Sequence, residues 1–271
     1  MSEPLTIEAH AIPVVNVKLL IDTNIYLDFY RSNKDSIQLL SELSKHFDKI
    51  VLTDQIVMEF ERNREVVIKA LKKSFESESD LENISSAYLQ NLPEFAALVS
   101  AQKDYRKRRN DVIAAIDTIL ESPEKDPVYA FFADMVSECR KNNAILNTTD
   151  EIIQKAQKRK LVGNPPTSSG FSIGDEINWE IVLTNVKENI ILIGRDNTYT
   201  TNFSFLKRDF HLNTGCLITK LTNSITEALK EIGIAMTAEL EEVEQKMLGE
   251  LKAYNEFWKH PSKDEPSEAG A

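Results

Sequence analysis

Short apolar runs alternate along the chain with segments whose apolar positions recur at helical spacing. The run at 17–21 contains a single Lys, and the run at 190–193 contains no charge. Each ends in a polar turn that is followed by a helical pattern, which is typical of a buried parallel strand leading into a helix. Weaker runs of the same kind bring the predicted strands to five, near residues 18, 50, 145, 191 and 217.

The segments between these strands are predicted to be helices, so the chain should form a mostly parallel sheet with helices on both faces. Thr53 or Asp54 is a candidate cap for the helix after the second strand. The last helical pattern begins near Thr222 and continues to about Lys259. A helix of that length would exceed about 50 Å. We therefore expect part of it to pack on helices inserted between the second and third strands, which we favour, or on a second chain.

A long segment between the second and third strands has helical patterns but no convincing strand. Helices are predicted at 88–98, 105–120 and 128–139, and the segment is interrupted by Pro93, Pro123 and Pro127. This segment is far longer than an ordinary connection, which favours a helical insertion. The predicted organisation is an α/β domain at 17–221 interrupted by the insertion at 63–142, a long helix at 222–259, and flexible ends at 1–16 and 260–271.

Composition narrows the class of protein. A chain of 271 residues that is 42% apolar can bury a sizeable core. Two cysteines, no apolar stretch of membrane-spanning length and no secretory leader lead us to expect a cytoplasmic protein without membrane contact. The net charge of −11 counts against a simple nucleic-acid coating protein, but it is compatible with an enzyme that has local cations.

Acidic residues recur where predicted strands end. Asp22 directly follows the first strand, and Asp196 follows the fourth within three residues. Glu59 lies about one and a half turns into the helix after the second strand, and Asp175 lies in the first turn of a later helix. Each one alone could be a helix cap or a solvated acid. Because the carboxyl ends of parallel strands meet at one edge of a sheet, we expect all four to lie close together there.

Carboxylates crowded into one cleft repel each other unless cations neutralise them. Oxygen ligands with no nearby Cys or His favour Mg²⁺ or Mn²⁺. The four histidines are scattered at positions 10, 46, 211 and 260. A hard dication in such a site can bind a phosphodiester oxygen and lower the pKa of a bound water. We expect Asp22 and Asp196 to ligate the ion directly, with Glu59 and Asp175 ligating directly or through water, one of them as general base.

The four acidic segments together resemble the acidic motifs of PIN-domain nucleases. The segments are Asp-Thr-Asn at 22–24, Thr-Asp-Gln-Ile-Val-Met-Glu-Phe at 53–60, Ile-Gly-Asp-Glu-Ile-Asn-Trp-Glu at 173–180 and Ile-Leu-Ile-Gly-Arg-Asp-Asn at 191–197. The Asn-Pro-Pro turn at 164–166 and Trp179 resemble a PIN-like subgroup with a helical insertion. The resemblance covers residues 17–62 and 143–221.

The resemblance implies a PIN-like three-layer α/β/α sandwich whose five-stranded parallel sheet has the order 3-2-1-4-5. It also implies metal-dependent cleavage of RNA, or sometimes of DNA flaps, by the four acids. Asn24 matches a frequent polar position after the first acid. Asn178 could orient a water or an ion, and Arg195 could contact phosphate. A hydrogen-bonded helix Asn and a surface Arg are the respective alternatives.

These observations favour a Mg²⁺- or Mn²⁺-dependent endoribonuclease, with a toxin or defence effector as the expected role. One alternative is a catalytically inactive PIN-like module that binds RNA or a protein, and another is a structure-specific DNA nuclease. A phosphatase with an Asp nucleophile is disfavoured. Such an enzyme needs a second acid two residues after the nucleophile, and this chain has Asn24 at that position.

The expected partner is an RNA substrate, with DNA as the alternative, and a homodimer or a partner protein could use the insertion and the last helix. Two short basic runs, at 103–109 and 155–160, are candidates for the path of a nucleic acid. Such runs are more often solvated helix faces. We favour the second run, in which the cations are Lys155, Lys158, Arg159 and Lys160.

Overall fold

The computed structural model describes residues 16–75, 86, 89, 91–167, 171–195 and 197–259. Within these residues the strands are β1 (Val17–Ile21), β2 (Ile50–Thr53), β3 (Ile145–Leu146), β4 (Asn189–Ile193) and β5 (Ile218–Thr222). The α-helices of the same residues are α1 (Thr23–Leu27), α2 (Ile37–Leu43), α3 (Asp54–Ser74), α4 (Pro93–Glu121), α5 (Pro127–Lys141), α6 (Asp150–Val162), α7 (Gly174–Asn185), α8 (Asn197–Thr200), α9 (Phe203–Thr214), α10 (Ile225–Glu231) and α11 (Ala238–Lys259). Apart from residue 16, the ends predicted to be flexible lie outside the described residues.

The five described strands form one parallel sheet in the order β3-β2-β1-β4-β5. This order confirms the predicted PIN-like sheet. Successive strands lie outward from β1 to β3, and the chain then returns to place β4 on the other side of β1. Strand order therefore reverses between β1 and β4, which is where open α/β sheets bind their ligands.

The two central strands are buried on both faces. Leu19, Leu20 and Ile21 of β1 and residues 190–193 of β4 are at most 1% exposed. Side chains of successive strand residues point to opposite faces, so helices must cover both sides of the sheet. This burial explains why the apolar runs are continuous rather than alternating.

Helix α5 packs in this core although the sequence placed it in the insertion. Its Phe132 stacks on Phe60 of α3 with 3.8 Å between ring centroids, and it meets Tyr26 of α1 edge to face at 5.3 Å. Phe131 and Met135 are also buried in the core. The segment that extends away from the α/β core is therefore shorter than the predicted 63–142.

Helix α4 is the main described element of that extension. It is one continuous helix where two were predicted at 88–98 and 105–120, because neither Pro nor Gly occurs after Pro93 at its first turn. None of its residues is fully buried. Lys72 of α3 pairs with Asp117 at 2.6 Å, which joins the two long helices.

The carboxyl-terminal segment differs from the single helix expected from Thr222. Helix α10 ends before Gly233, whose φ of +87° lies in the left-handed region that favours glycine. A long helix, α11, then begins at Ala238. Its main described contacts are with α2, the turn before α2 and α10, so the insertion is not its principal packing surface.

The long helices among the described residues carry charged side chains. Helix α11 carries Glu239 and Glu241 in its first turn, and α3 has basic residues in its last turn. None of the described helices combines the length and the apolar character needed to cross a bilayer.

Candidate active site

Asp22 lies at the end of β1, beside the point where strand order reverses. Its backbone N–H donates to the carbonyl of Ile193 at 2.8 Å, which fixes it to the end of β4. Its carboxylate Oδ2 accepts from the backbone N–H of Asn24 at 3.3 Å and caps α1. The side chain is buried at 8% exposure. The helix-cap interpretation therefore holds, and the same contacts fix the carboxylate at the ligand-binding edge of the sheet.

Glu59 is directed to the same edge from α3. That helix begins where Thr53 Oγ1 accepts from the N–H of Ile56 at 3.1 Å. One turn further, Glu59 Oε2 accepts from Thr23 Oγ1 at 3.1 Å, and Glu59 Oε1 accepts from Gln55 Nε2 at 2.7 Å. Both carboxylate oxygens of Glu59 therefore accept a hydrogen bond, and the donor to one of them, Thr23, directly follows Asp22.

Asp175 is brought in by the first turn of α7, where it is partly buried. Gly174 allows the approach: a methyl group there would overlap Glu59 Oε1 and lie 2.8 Å from Gln55 Nε2. Further along α7, the buried Asn178 accepts from Thr53 Oγ1 at 2.7 Å. That bond ties α7 to β2 and favours the structural alternative for Asn178, while its predicted role with a water or ion stays a prediction.

Tyr199 is a buried residue close to these acids. It is buried at 3% exposure in α8. Burial is the main reason why the pKa of its phenol is raised. The carboxylates of Asp22, Asp175 and Glu59 raise this pKa further. A hydrogen bond with Asn178 opposes the shift. Three of the four predicted acids therefore lie near enough to one buried phenol to affect its pKa, and the sequence analysis did not identify this tyrosine.

The segment after β4 closes the site on the side of β5. A methyl group on Gly194 would lie 3.3 Å from Tyr199 Cδ2 and 3.6 Å from Asp22 Cβ, so the backbone runs tightly between them. Arg195 pairs with Asp28, which is 2% exposed and also lies 3.5 Å from Arg31. The predicted contact of Arg195 with phosphate stays a prediction.

Asp196, the fourth predicted acid, lies outside the described residues. Asp28 is a buried acid at the rim of the site that the sequence analysis did not consider. The only available signal was an acid directly after the apolar stretch 25–27, which is an ordinary feature of a helix end.

Comparison with protein families agrees with this architecture. A family model described as PIN domain matches residues 19–199. The chain belongs to the PIN-domain family. PIN domains are generally nucleases, so the edge that gathers the acids belongs to a nuclease-type fold. No curated protein and no solved structure matches the chain.

The oxygen-rich chemistry of this PIN domain's site suits a hard dication such as Mg²⁺ or Mn²⁺. Asp22, Glu59 and Asp175 supply carboxylate oxygens, and Thr23 supplies a hydroxyl. Among the described residues, no three acidic, His or Cys side chains are already arranged as a metal-binding group. Glu59 has both of its carboxylate oxygens engaged, one by Thr23 and one by Gln55. It could therefore ligate through water, or directly once Gln55 turns away.

The basic residues predicted to bind nucleic acid have different surroundings in this PIN domain. Arg159 is 8% exposed and bonds Glu180 at 2.7 Å, Asp209 at 2.9 Å and the carbonyl of Pro165 at 2.7 Å. These contacts give it a structural role and do not favour it as a contact for nucleic acid.

The neighbours of Arg159 on α6 are more accessible. Lys158 is exposed. Lys155 pairs with Glu151 at 2.7 Å on the helix surface, and Lys160 lies 3.2 Å from the buried Glu176. A nucleic-acid path along this helix stays a prediction, carried by Lys155 and Lys158 rather than by Arg159.

Proposed function

We propose that this PIN domain is a Mg²⁺- or Mn²⁺-dependent endoribonuclease. The observation that supports it most is the grouping of three acids where strand order reverses: Glu59 bonds Thr23, which follows Asp22, and contacts Gly174, which precedes Asp175. Carboxylates grouped in this way repel each other, and Arg195 at the rim is already paired with Asp28. A dication is the neutralising group that such a site needs, and it also attracts a polyanionic substrate despite the net charge of −11.

A bound dication would supply a more acidic water and positive charge for the attacked phosphate. In our proposal Asp22 holds the ion, because its backbone and its carboxylate are both fixed by hydrogen bonds at the strand end. Asp196 is proposed as the second direct ligand. Glu59 is oriented by Thr23 and Gln55, so it suits the task of positioning the attacking water or accepting its proton. Asp175 shares that task from the start of α7.

The test compares the wild type with Asp22→Asn in cleavage of labelled single-stranded RNA and DNA, with Mg²⁺, with Mn²⁺ and with a chelator. Loss of a residue that only orients a metal ligand costs about 10–100-fold in activity. We therefore expect Asp22→Asn to lose more than that, and the chelator to abolish cleavage. Asp48→Asn is the matched control, because Asp48 is an exposed acid at the opposite, amino edge of the sheet.

Two outcomes would contradict the endoribonuclease proposal, and each would favour one of its alternatives. A wild type that cuts neither polymer with either ion, yet binds RNA, would be a non-enzymatic PIN-like module. Cleavage of branched or flapped DNA without cleavage of RNA would indicate a structure-specific DNA nuclease. Mn²⁺ binding followed by electron paramagnetic resonance gives a readout that does not depend on turnover. A toxin or defence role stays a prediction.

A further inference from the structure

A large groove adjoins the acidic site on the side of β5. It has a volume of about 1240 Å³ and lies between the ends of β4 and β5 and the helices α10 and α11. Gly194 and Arg195 line it at the end near the acids, and Gln245, Gly249 and Lys252 of α11 form its far wall. We call it the C-terminal groove.

The C-terminal groove and the acidic site meet at Gly194. This residue lines the groove, and a methyl group on it would contact both Tyr199 and Asp22. A polymer with its reactive phosphate at the acids would therefore place its next units in the groove. Ligand pockets commonly measure about 300–1000 Å³. The volume here accommodates more than one monomer.

The side chains of the groove suit single-stranded nucleic acid. Asn223 and Gln245 are exposed amides, and each offers donors and an acceptor as base edges do. Arg195 stands at the end near the acids, and the exposed Lys252 stands on the far wall, where it can meet a phosphate.

Two acids also line the groove, but each is matched by a cation of the chain. Glu241 pairs with Lys230 at 2.7 Å. Glu227 pairs with Lys220 at 2.7 Å and also accepts from Thr222 Oγ1. Repulsion of a phosphodiester chain by these carboxylates is therefore reduced.

Gly249 gives the groove an open wall. It lies within α11, where glycine costs about 1 kcal/mol relative to alanine. Among the described residues, and apart from the adjacent residues and backbone of its own helix, no atom lies within 4 Å of the position that its Cβ would take. A residue with no side chain, facing open space in the middle of a helix, permits close approach of another chain.

We propose that the C-terminal groove binds the single-stranded nucleotides next to the phosphate that is cleaved. The position relative to cleavage rests on the proposed nuclease function, whereas binding in the groove does not require it. The ligand class is a single-stranded phosphodiester chain. Comparing RNA with DNA of the same sequence tests whether the 2′-hydroxyl contributes.

The first experiment measures fluorescence anisotropy of labelled single-stranded oligonucleotides in the Asp22→Asn background, which should leave the probe intact. Lys252→Glu is compared with Lys246→Glu, an exposed lysine of the same helix that does not line the groove. Both variants change the net charge equally. We expect Lys252→Glu to weaken binding several-fold and to lower the dependence of log K on log salt by about 1. We expect Lys246→Glu to match the parent.

The second experiment fills the groove. Gly249→Trp places a large side chain in the open space, and Lys246→Trp places the same side chain on a residue outside the groove. Gly249→Trp should weaken binding of the oligonucleotide and raise KM for cleavage with little change in kcat. Thermal unfolding of each variant shows whether it is folded.

The outcomes separate this proposal from the nuclease proposal. Equal weakening by Lys252→Glu and Lys246→Glu, or unchanged binding in a folded Gly249→Trp, overturns the groove as a binding site. Binding that depends on Lys252 and Gly249 in a wild type that cleaves nothing supports the groove and refutes the nuclease. Cleavage with an unchanged KM in Gly249→Trp supports the nuclease and refutes the groove.

Discussion

Gly174 lies so close to Glu59 that a methyl group on Gly174 would overlap Glu59 Oε1. This contact joins the first turn of α7, which carries Asp175, to α3. The obstructing atom is at the end of a flexible side chain. The fold can therefore accept a larger residue at 174 by moving the carboxylate, without moving the backbone.

Gly174→Ala should consequently lower activity more than stability. The displaced carboxylate should reduce cleavage about as much as Glu59→Gln does. The free energy of unfolding should change by less than about 1 kcal/mol, because alanine at this ordinary helical φ lowers the entropy of the unfolded chain and offsets the displacement. Cleavage rates and urea unfolding of the two variants check this. A wild-type rate in Gly174→Ala would show that the observed position of Glu59 is not needed.

Arg159→Leu should destabilise the fold strongly. The change leaves Glu180 and Asp209 without their shared cation, and breaking a buried pair typically costs about 3–5 kcal/mol. The exposed Lys158→Leu is the matched control and should stay within about 0.5 kcal/mol of the wild type. Urea unfolding measures both. If Arg159→Leu keeps wild-type stability and loses RNA binding instead, the nucleic-acid path along α6 gains support.

Stability should fall on the alkaline side because of buried tyrosines. Burial raises the pKa of Tyr26, and it also raises the pKa values of Tyr30 and Tyr199. Below the unfolded pKa of 10.0 these phenols are neutral in both states, and their contribution to stability is complete. At higher pH the unfolded chain releases protons that the folded chain keeps. Each such tyrosine then lowers the free energy of unfolding by about 1.4 kcal/mol per pH unit.

Tyr26→Phe tests this alkaline effect. Among the residues that the structure describes, the hydrogen-bond partner of the Tyr26 hydroxyl is Met135 Sδ at 3.7 Å, which is a weak contact, so its removal should cost little at neutral pH. Urea unfolding between about pH 9 and pH 11 should show a shallower loss of stability in the variant. Tyr105→Phe, at a position that is 56% exposed, is the control and should keep the wild-type slope. Equal slopes in all three proteins would contradict the prediction.

Glu244→Ala should loosen the carboxyl-terminal part of the fold. Glu244 is 2% exposed and accepts from Ser224 Oγ at 2.5 Å and from the backbone N–H groups of Ile225 and Thr226 at 2.5 and 3.1 Å. It therefore caps α10 from a different helix. Losing this acceptor should cost about 2–4 kcal/mol, since bonds to a charged group are the stronger ones. Urea unfolding compares the stability of this variant with that of Glu242→Ala, the control at an exposed position of the same helix.

The sheet, and the placement of three of the acids at its carboxyl edge, could be predicted from strand and helix patterns together with the rule that parallel strands end at one edge. A strand buried on both faces is a continuous apolar run, and Asp22 stands at the end of the most regular one. Glu59 and Asp175 follow from helix periodicity and from the shared edge of parallel strands. Tyr199 and Asp28 could not be predicted as parts of this region. They belong to it through tertiary contacts, and no spacing in the sequence indicates those contacts.

The helices show the limits of periodicity. Apolar spacing continues across Gly233, so a stripe of this kind cannot show that the backbone turns there. Absence of strands between 63 and 142 indicated extra helices, but it could not distinguish α5, whose aromatic residues fill the core, from the exposed α4. The groove could not be predicted either, because its walls come from segments far apart in sequence.

The match to the family ends at residue 199, before β5 begins. A fragment cut at that boundary would lose the outer neighbour of β4 and leave the backbone of residues 190–193 as a sheet edge. Such a flat aliphatic edge, with none of the charges that normally protect one, is a template for self-association. Shortened versions of this protein should therefore extend through β5 and, because of Glu244, through most of α11.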